Sequence, residues 1–324
     1  PVPGETIGSG FISNNADSLS FKNPSYAMAH YDETGGGWGA YYQAGESSSI
    51  TAGEGYILRR DTDGWLNFSG TVNTADVNIN ITRGGHGWNA VGNPFPSMIG
   101  VTGDAGTTDN FLGVNALQLA PAYAALYVYD PDQGLYLIIN NSGTGGGFID
   151  QDYLLPGQAF MVKSATGGST LSFTTGMQTH DATANLYKKS SQTDSQWPGL
   201  TLNISKDGKS DQTDIKFRSD MTSGLDVTYD AGTFSIDKQL SIYTELVDGS
   251  EGSYDIQCLP ETEYQNGIVP IGVECAAGGE IKFDIALNNT PAQVHFMLED
   301  REANVFTDLS LPENEYTVTV PEGT

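Results

Sequence analysis

Residue types able to do chemistry are sparse in this chain and mostly stand apart. The four histidines, His30, His86, His180 and His295, form no HxH, HExxH or Cys–His pattern, so spacing gives a zinc hydrolase site no support. His30 and His295 fall inside alternating runs, where a structural histidine is the plain expectation. No GxSxG elbow occurs, and neither cysteine has a histidine near it in sequence. Gly-rich stretches at 35–37 and 143–147 lack the strand–loop–helix context and following lysine of a phosphate cradle, and are expected to be hairpin tips. Glycoside hydrolysis needs two carboxyls flanking the scissile bond. With 40 Asp and Glu in the chain, any fold offers such a pair, so their presence identifies nothing. The expectation is a chain without a catalytic site.

Binding chemistry has better candidates. Asp61-Thr62-Asp63-Gly64 is a DxDG turn, and Asp130-Pro131-Asp132 places two more carboxylates at a second turn. Hard oxygen ligands in turns suit calcium, so Asp61, Asp63, Asp130 and Asp132 are the candidate metal ligands. The DxDG turn lacks the later ligands and terminal Glu of an EF-hand loop. The competing reading is that short acids initiate turns by bonding their own backbone. Asp150 and Asp152, and the set Asp207, Asp211 and Asp214, raise the same two readings. No cofactor is required, and calcium is the one the residues suggest. Trp38, Tyr41, Tyr42, Trp65, Trp88, Tyr129 and Tyr136 lie at or near turns. Exposed rings there could stack on sugar faces, and Trp38, Tyr42 and Trp65 are the candidates, against the alternative that large aromatics serve burial. Cys258 and Cys275 stand seventeen apart; a disulfide between neighbouring strands is expected in an oxidising compartment, with two buried thiols as the alternative.

The elements that must position these groups follow from composition and pattern. The chain has 324 residues, with 40 acids against 14 Lys plus Arg, a net charge of -26. That balance argues against binding nucleic acid or an anionic membrane surface, which relies on clustered Lys and Arg. The 38% hydrophobic content suffices for a core, and 40 Gly with 14 Pro point to many turns. No run of eighteen apolar residues exists, so no membrane-spanning helix is expected.

An internal duplication organises the first half. GEGYILR (53–59) matches GQAFMVK (157–163), and WLNFSG (65–70) matches TLSFTTG (170–176). AMAHYD (27–32) matches ALYVYD (125–130), and the opening PVPGETIG resembles PFPSMIG (94–100). Each unit is expected to run strand, hairpin, strand, Gly turn, strand, hairpin, strand. GWNAVGN (87–93) leads the second unit, and its counterpart is expected upstream of Pro1. Residues 111–126 allow one short helix before Pro121. A polar connection at 188–199 then separates residues 1–187 from 200–324. Beyond it, nine short β-branched runs, LDVTYD (225–230) among them, suggest an antiparallel sandwich, Ig-like or jelly-roll-like. The fold class is therefore all-β with two domains, the first a sandwich or barrel-like domain of two similar half-units.

GWNAVGNPFPSMI (87–99), GEGYIL (53–58), YVYD (127–130) and PGQAFMVKS (156–164) together bring a known group into view. The chain resembles the C-terminal GWNxxGNPxPS-type β-rich region of large secreted and surface proteins of the Bacteroidota. DQTDIKF (211–217), YDA (229–231) and LPE (259–261) extend the resemblance through the second half. It implies an extracellular or outer-surface location and export by the type IX secretion machinery through a C-terminal sorting domain, which residues 1–324 do not contain. It implies a non-catalytic module acting in adhesion, assembly or as a spacer. A carbohydrate-binding module contacting surface polysaccharide, and a calcium-stabilised adhesin module, are the alternatives.

Overall fold

The computed structural model describes residues 2–131, 134–144, 152–180, 197–234, 239–312 and 314–324. The fold is all-β, in two compact units: Pro1–Asn141 with Gly147–Ser190, and Ser142–Gly146 with Ser191–Thr324.

The principal strands of the first unit are β1 (Met28–Asp32), β2 (Gly37–Trp38), β3 (Tyr56–Leu58), β4 (Val77–Ile81), β5 (Trp88–Gly92) and β6 (Met98–Gly100). A short helix, α1 (Phe111–Asn115), precedes β7 (Leu126–Asp130), β8 (Leu135–Asn140), β9 (Ala159–Lys163) and β10 (Ser169–Phe173). The duplication is built into the pairing. β1 pairs β2 and β3, as β7 pairs β8 and β9. Even the register repeats: Tyr31 faces Trp38 as Tyr129 faces Tyr136, and Ala29 faces Ile57 as Tyr127 faces Met161. Both hairpin loops close with the same bond, Gly36 N–H to Asp32 O and Gly134 N–H to Asp130 O, each 2.8 Å. Gly36 and Gly134 hold φ of +69° and +68°, the left-handed region that favours glycine.

Two asparagines show the repeat most sharply. Asn15 Nδ2 donates to Phe11 O and Asn67 O, and its Oδ1 accepts the Asn67 N–H. Asn115 does the same with Phe111 O, Ser172 O and the Ser172 N–H. Each side chain completes the end of a helical turn and fixes a later segment across it, which is how a buried amide offsets its desolvation. Each half also has its own apolar cluster, around Phe11, Ile12 and Met28 in one and Phe111, Leu112 and Leu126 in the other.

The halves part company at their last segment. β10 pairs with β4 over five residues, from Ser169–Ile81 to Phe173–Val77. The expected strand at 65–70 does not form, because no described strand pairs with it. Strand β5 joins the halves, pairing with β9 along its length and bridging Glu54 through Val91.

The second unit contains β11 (Gly199–Lys206), β12 (Lys209–Phe217), β13 (Leu240–Thr244), β14 (Tyr254–Leu259), β15 (Ile271–Cys275) and β16 (Gly279–Asn288), then β17 (Met297–Asp300), β18 (Val305–Asp308) and β19 (Tyr316–Val320). Its main sheet runs β15-β13-β14-β12-β11-β16-β19. Pairing is antiparallel except for β12 with β14, which is parallel. The segment 225–230 is a turn, not the expected strand: Asp226 accepts from the Thr222 N–H and Asp230 accepts from the Asp226 N–H, so local acids satisfy its backbone. Val305–Asp308, unexpected from the sequence, forms a hairpin with β17.

Candidate functional site: the paired hairpin tips

The repeat sequences YDETGGGW and YDPDQGLY place aromatics opposite one another near the ends of both hairpins. Tyr31 meets Trp38 edge-to-face with centroids 5.4 Å apart, and Tyr129 meets Tyr136 at 5.2 Å. The two hairpins also meet each other: the Trp38 indole N–H donates to the Tyr136 hydroxyl. Burial, with Tyr129 and Tyr31 nearby, pushes the Tyr136 hydroxyl up to about 12, against the pull of the Trp38 bond. Burial, then the carboxylates of Glu33 and Asp32, likewise raises Tyr31. Tyr31 and Tyr136 are therefore neutral hydrogen-bonding rings at physiological pH. Of the four rings, only Tyr129 keeps substantial exposure, at 45%.

Beneath the first tip sits a carboxylate that pattern reading overlooked. Glu33 is buried and accepts the N–H groups of Gly84, Gly85 and Gly87 and the Thr82 hydroxyl. Burial opposes its charge, but these four donors outweigh burial and hold it below the usual carboxylate range. His86 packs over Gly36, where a Cβ would lie 2.4 Å from the imidazole Cδ2. The Arg83–Gly87 loop is thus clamped onto the hairpin. The one advance signal was an acid directly after the repeated Tyr-Asp, where the second half has Pro131.

The family model that matches this chain is described as a domain of unknown function, DUF8693, and it covers residues 7–324. The chain belongs to DUF8693. No curated protein and no solved structure matches it.

Within this DUF8693 chain the candidate sugar-stacking residues lie in different settings. Trp38 is half-buried in the ring cluster. The Tyr42 hydroxyl is 2.9 Å from His30 Nδ1, and its ring stacks on that imidazole. Trp65 is 89% exposed, in the irregular segment after β3. Trp88 is structural: it packs edge-to-face on Tyr123 and Tyr127, with Lys163 Nζ 3.7 Å from the Tyr123 centroid. Tyr31 completes the tip cluster, and its signal was the Tyr-Asp repeat already visible in the sequence.

The acids are similarly dispersed. Asp61 accepts from the Ser20 hydroxyl at 2.5 Å, while Asp63 is exposed in the same turn. Asp130 caps the second hairpin, and Asp132 lies outside the described residues, as does Asp150. Asp207 pairs with Lys206, Asp211 accepts from the Ile242 N–H, and Asp214 accepts from the Thr201 hydroxyl. Among the described residues, no three His, Cys, Asp or Glu converge as a metal site would require. The expected Cys258–Cys275 disulfide is corrected: both are buried free thiols. They lie on β14 and β15, which are separated by β13, so two strand spacings of about 4.8 Å each hold the backbones too far apart. Burial, then the nearby Asp230, raises the Cys258 thiol and keeps it protonated.

Proposed function

We propose that this chain is a non-catalytic module of a larger exported cell-surface protein, acting in adhesion, assembly or as a spacer. One observation carries the reading: the residues of its most distinctive motif are spent on backbone, not aimed at a ligand. Asn93 donates to Ser97 O and Leu155 O and accepts the Phe95 N–H, while Phe95 is fully buried. The duplicated Asn15 and Asn115 are spent the same way. Polar groups that rigidify a β scaffold suit a part whose work is to hold shape outside the cell. The resemblance to secreted proteins of the Bacteroidota supports export by the type IX route. The test is to stain intact cells with antibody to this region and to incubate the purified chain with polysaccharide and peptide substrates. Surface labelling and no turnover are expected. Turnover abolished by a single carboxylate substitution would overturn the proposal.

A second reading, a carbohydrate-binding module, draws on the 89% exposure of Trp65 and the 45% exposure of Tyr129. Retention on a polysaccharide column that falls at least about tenfold in Trp65→Ala would support it. Retention unchanged in both Trp65→Ala and Tyr129→Ala would remove it. Calcium at Asp61 and Asp63 predicts a lower melting temperature in chelator, and an unchanged transition rejects that site.

A further inference from the structure

The second unit leaves an apolar groove along the free edges of its main sheet. The groove has a volume of about 770 Å³. Its floor is the apolar face of β11, β12 and β16, and alternate residues Tyr316, Val318 and Val320 of β19 line one side. Ile271 and Val273 of β15 line another part of the wall. β15 and β19 are the two ends of the sheet path, and among the described residues neither has a second strand partner. Beside their ends, Cys275 N–H donates to Thr324 O at 2.7 Å and Gly323 N–H to Ala276 O at 3.2 Å. At the rim, Ile268, Met297 and Phe306 are 64%, 53% and 62% exposed. An exposed apolar rim beside unpaired strand edges is the arrangement to which an extended peptide adds by main-chain pairing.

Charge selects among such peptides. Residues 188–324 hold 24 acids and 9 bases. At the groove the two basic side chains are already engaged: Arg301 with Glu299 at 3.1 Å and His295 with Asp308 at 2.8 Å. Glu263 and Asp300 also line it without a basic partner among the described ion pairs. The Ala303 N–H and the Tyr316 hydroxyl hold Asp300 below the usual carboxylate range, so it stays charged.

We propose that this groove binds an extended polypeptide strand of another protein, with apolar residues at alternate positions and Lys or Arg between them. The strand pairs along β19 or β15 and sets its apolar side chains against the floor. The inference is independent of the first unit and of the proposed module role.

The probe is a capped eight-residue peptide of alternating Val and Lys, fluorescently labelled and titrated into the full chain. Saturable binding is expected, with slowed amide exchange in 316–320 or 271–275. Methylating alternate backbone nitrogens, or replacing Lys by Glu, should weaken binding at least about tenfold. So should Val318→Asp; Phe306→Ser, at an exposed position, is the second variant should the first not fold. Equal binding of a peptide with the same residues in two blocks, four Val then four Lys, would reduce the effect to charge and overturn the proposal. So would an unaffected N-methylated peptide, displacement by decanoate, or a dimer of the chain alone that Phe306→Ser abolishes; the last two give the groove to an aliphatic ligand or to a second copy.

Discussion

The two halves of the first unit share a hairpin, a register and an asparagine clamp, yet they finish differently. In the second half, Asn115 fastens Ser172, and that residue also belongs to a strand paired with β4. In the first half, Asn15 fastens Asn67, whose segment has no strand beside it. The same local device thus supports two levels of order. A side-chain clamp can fix a segment's position, but a ladder of main-chain bonds is what makes it a strand.

The core aromatics give the largest contrast. Phe111 is fully buried against Phe160 and Phe173 at 5.3 and 5.4 Å, whereas Phe11 meets the half-exposed Phe68 at 4.8 Å. Phe111→Ala is expected to cost about 4 kcal/mol in denaturant unfolding and Phe11→Ala about 3 kcal/mol. Equal losses would mean that the halves are equally supported. Next come the clamps. Asn115→Ala strands three backbone partners, two of them on a paired strand, and should cost about 3 kcal/mol. Asn15→Ala should cost about half that and speed amide exchange at 65–70 without touching β10. Faster exchange in both segments, or in neither, would break the distinction.

Glu33 tests a feature found in one half alone. Its folded-state pKa is depressed, so its stabilisation is full above the unfolded carboxyl value of about 4.3 and is lost as pH falls through the lower folded value. Amide exchange at Gly84, Gly85 and Gly87 should accelerate on that descent, after allowance for intrinsic rates. Glu33→Gln should show fast exchange already at pH 7 and little further change; an unaltered acid profile would reject the clamp. Smallest is Trp38→Phe, which removes the indole bond to Tyr136 and should cost about 1 kcal/mol by thermal melting.

Much of this was legible beforehand, for physical reasons. Alternation at period two marks strands because one face of each must be buried, and Leu200, Leu202 and Ile204 of β11 obey it. Repeat matching aligned Tyr31 with Tyr129, and the structure gives both the same register, with Trp38 and Tyr136 opposite them, because the two hairpins are equally long. Two things escaped. WLNFSG has strand-like residues, but strand formation depends on a partner that local sequence does not specify. The cysteine spacing suggested a bond because it is silent on β13 lying between β14 and β15. At the site, Glu33 was invisible as a clamp because its donors come from a loop about fifty residues further on.

The Trp38–Tyr136 bond turns the molecule into its own optical gauge. Trp38 belongs to one hairpin and its acceptor to the other, so parting the hairpins would hydrate the indole and shift its emission to longer wavelength. Trp65, already 89% exposed, would hardly change colour and supplies the steady background. A red shift preceding the loss of circular dichroism on heating would reveal the halves separating while each still keeps its strands.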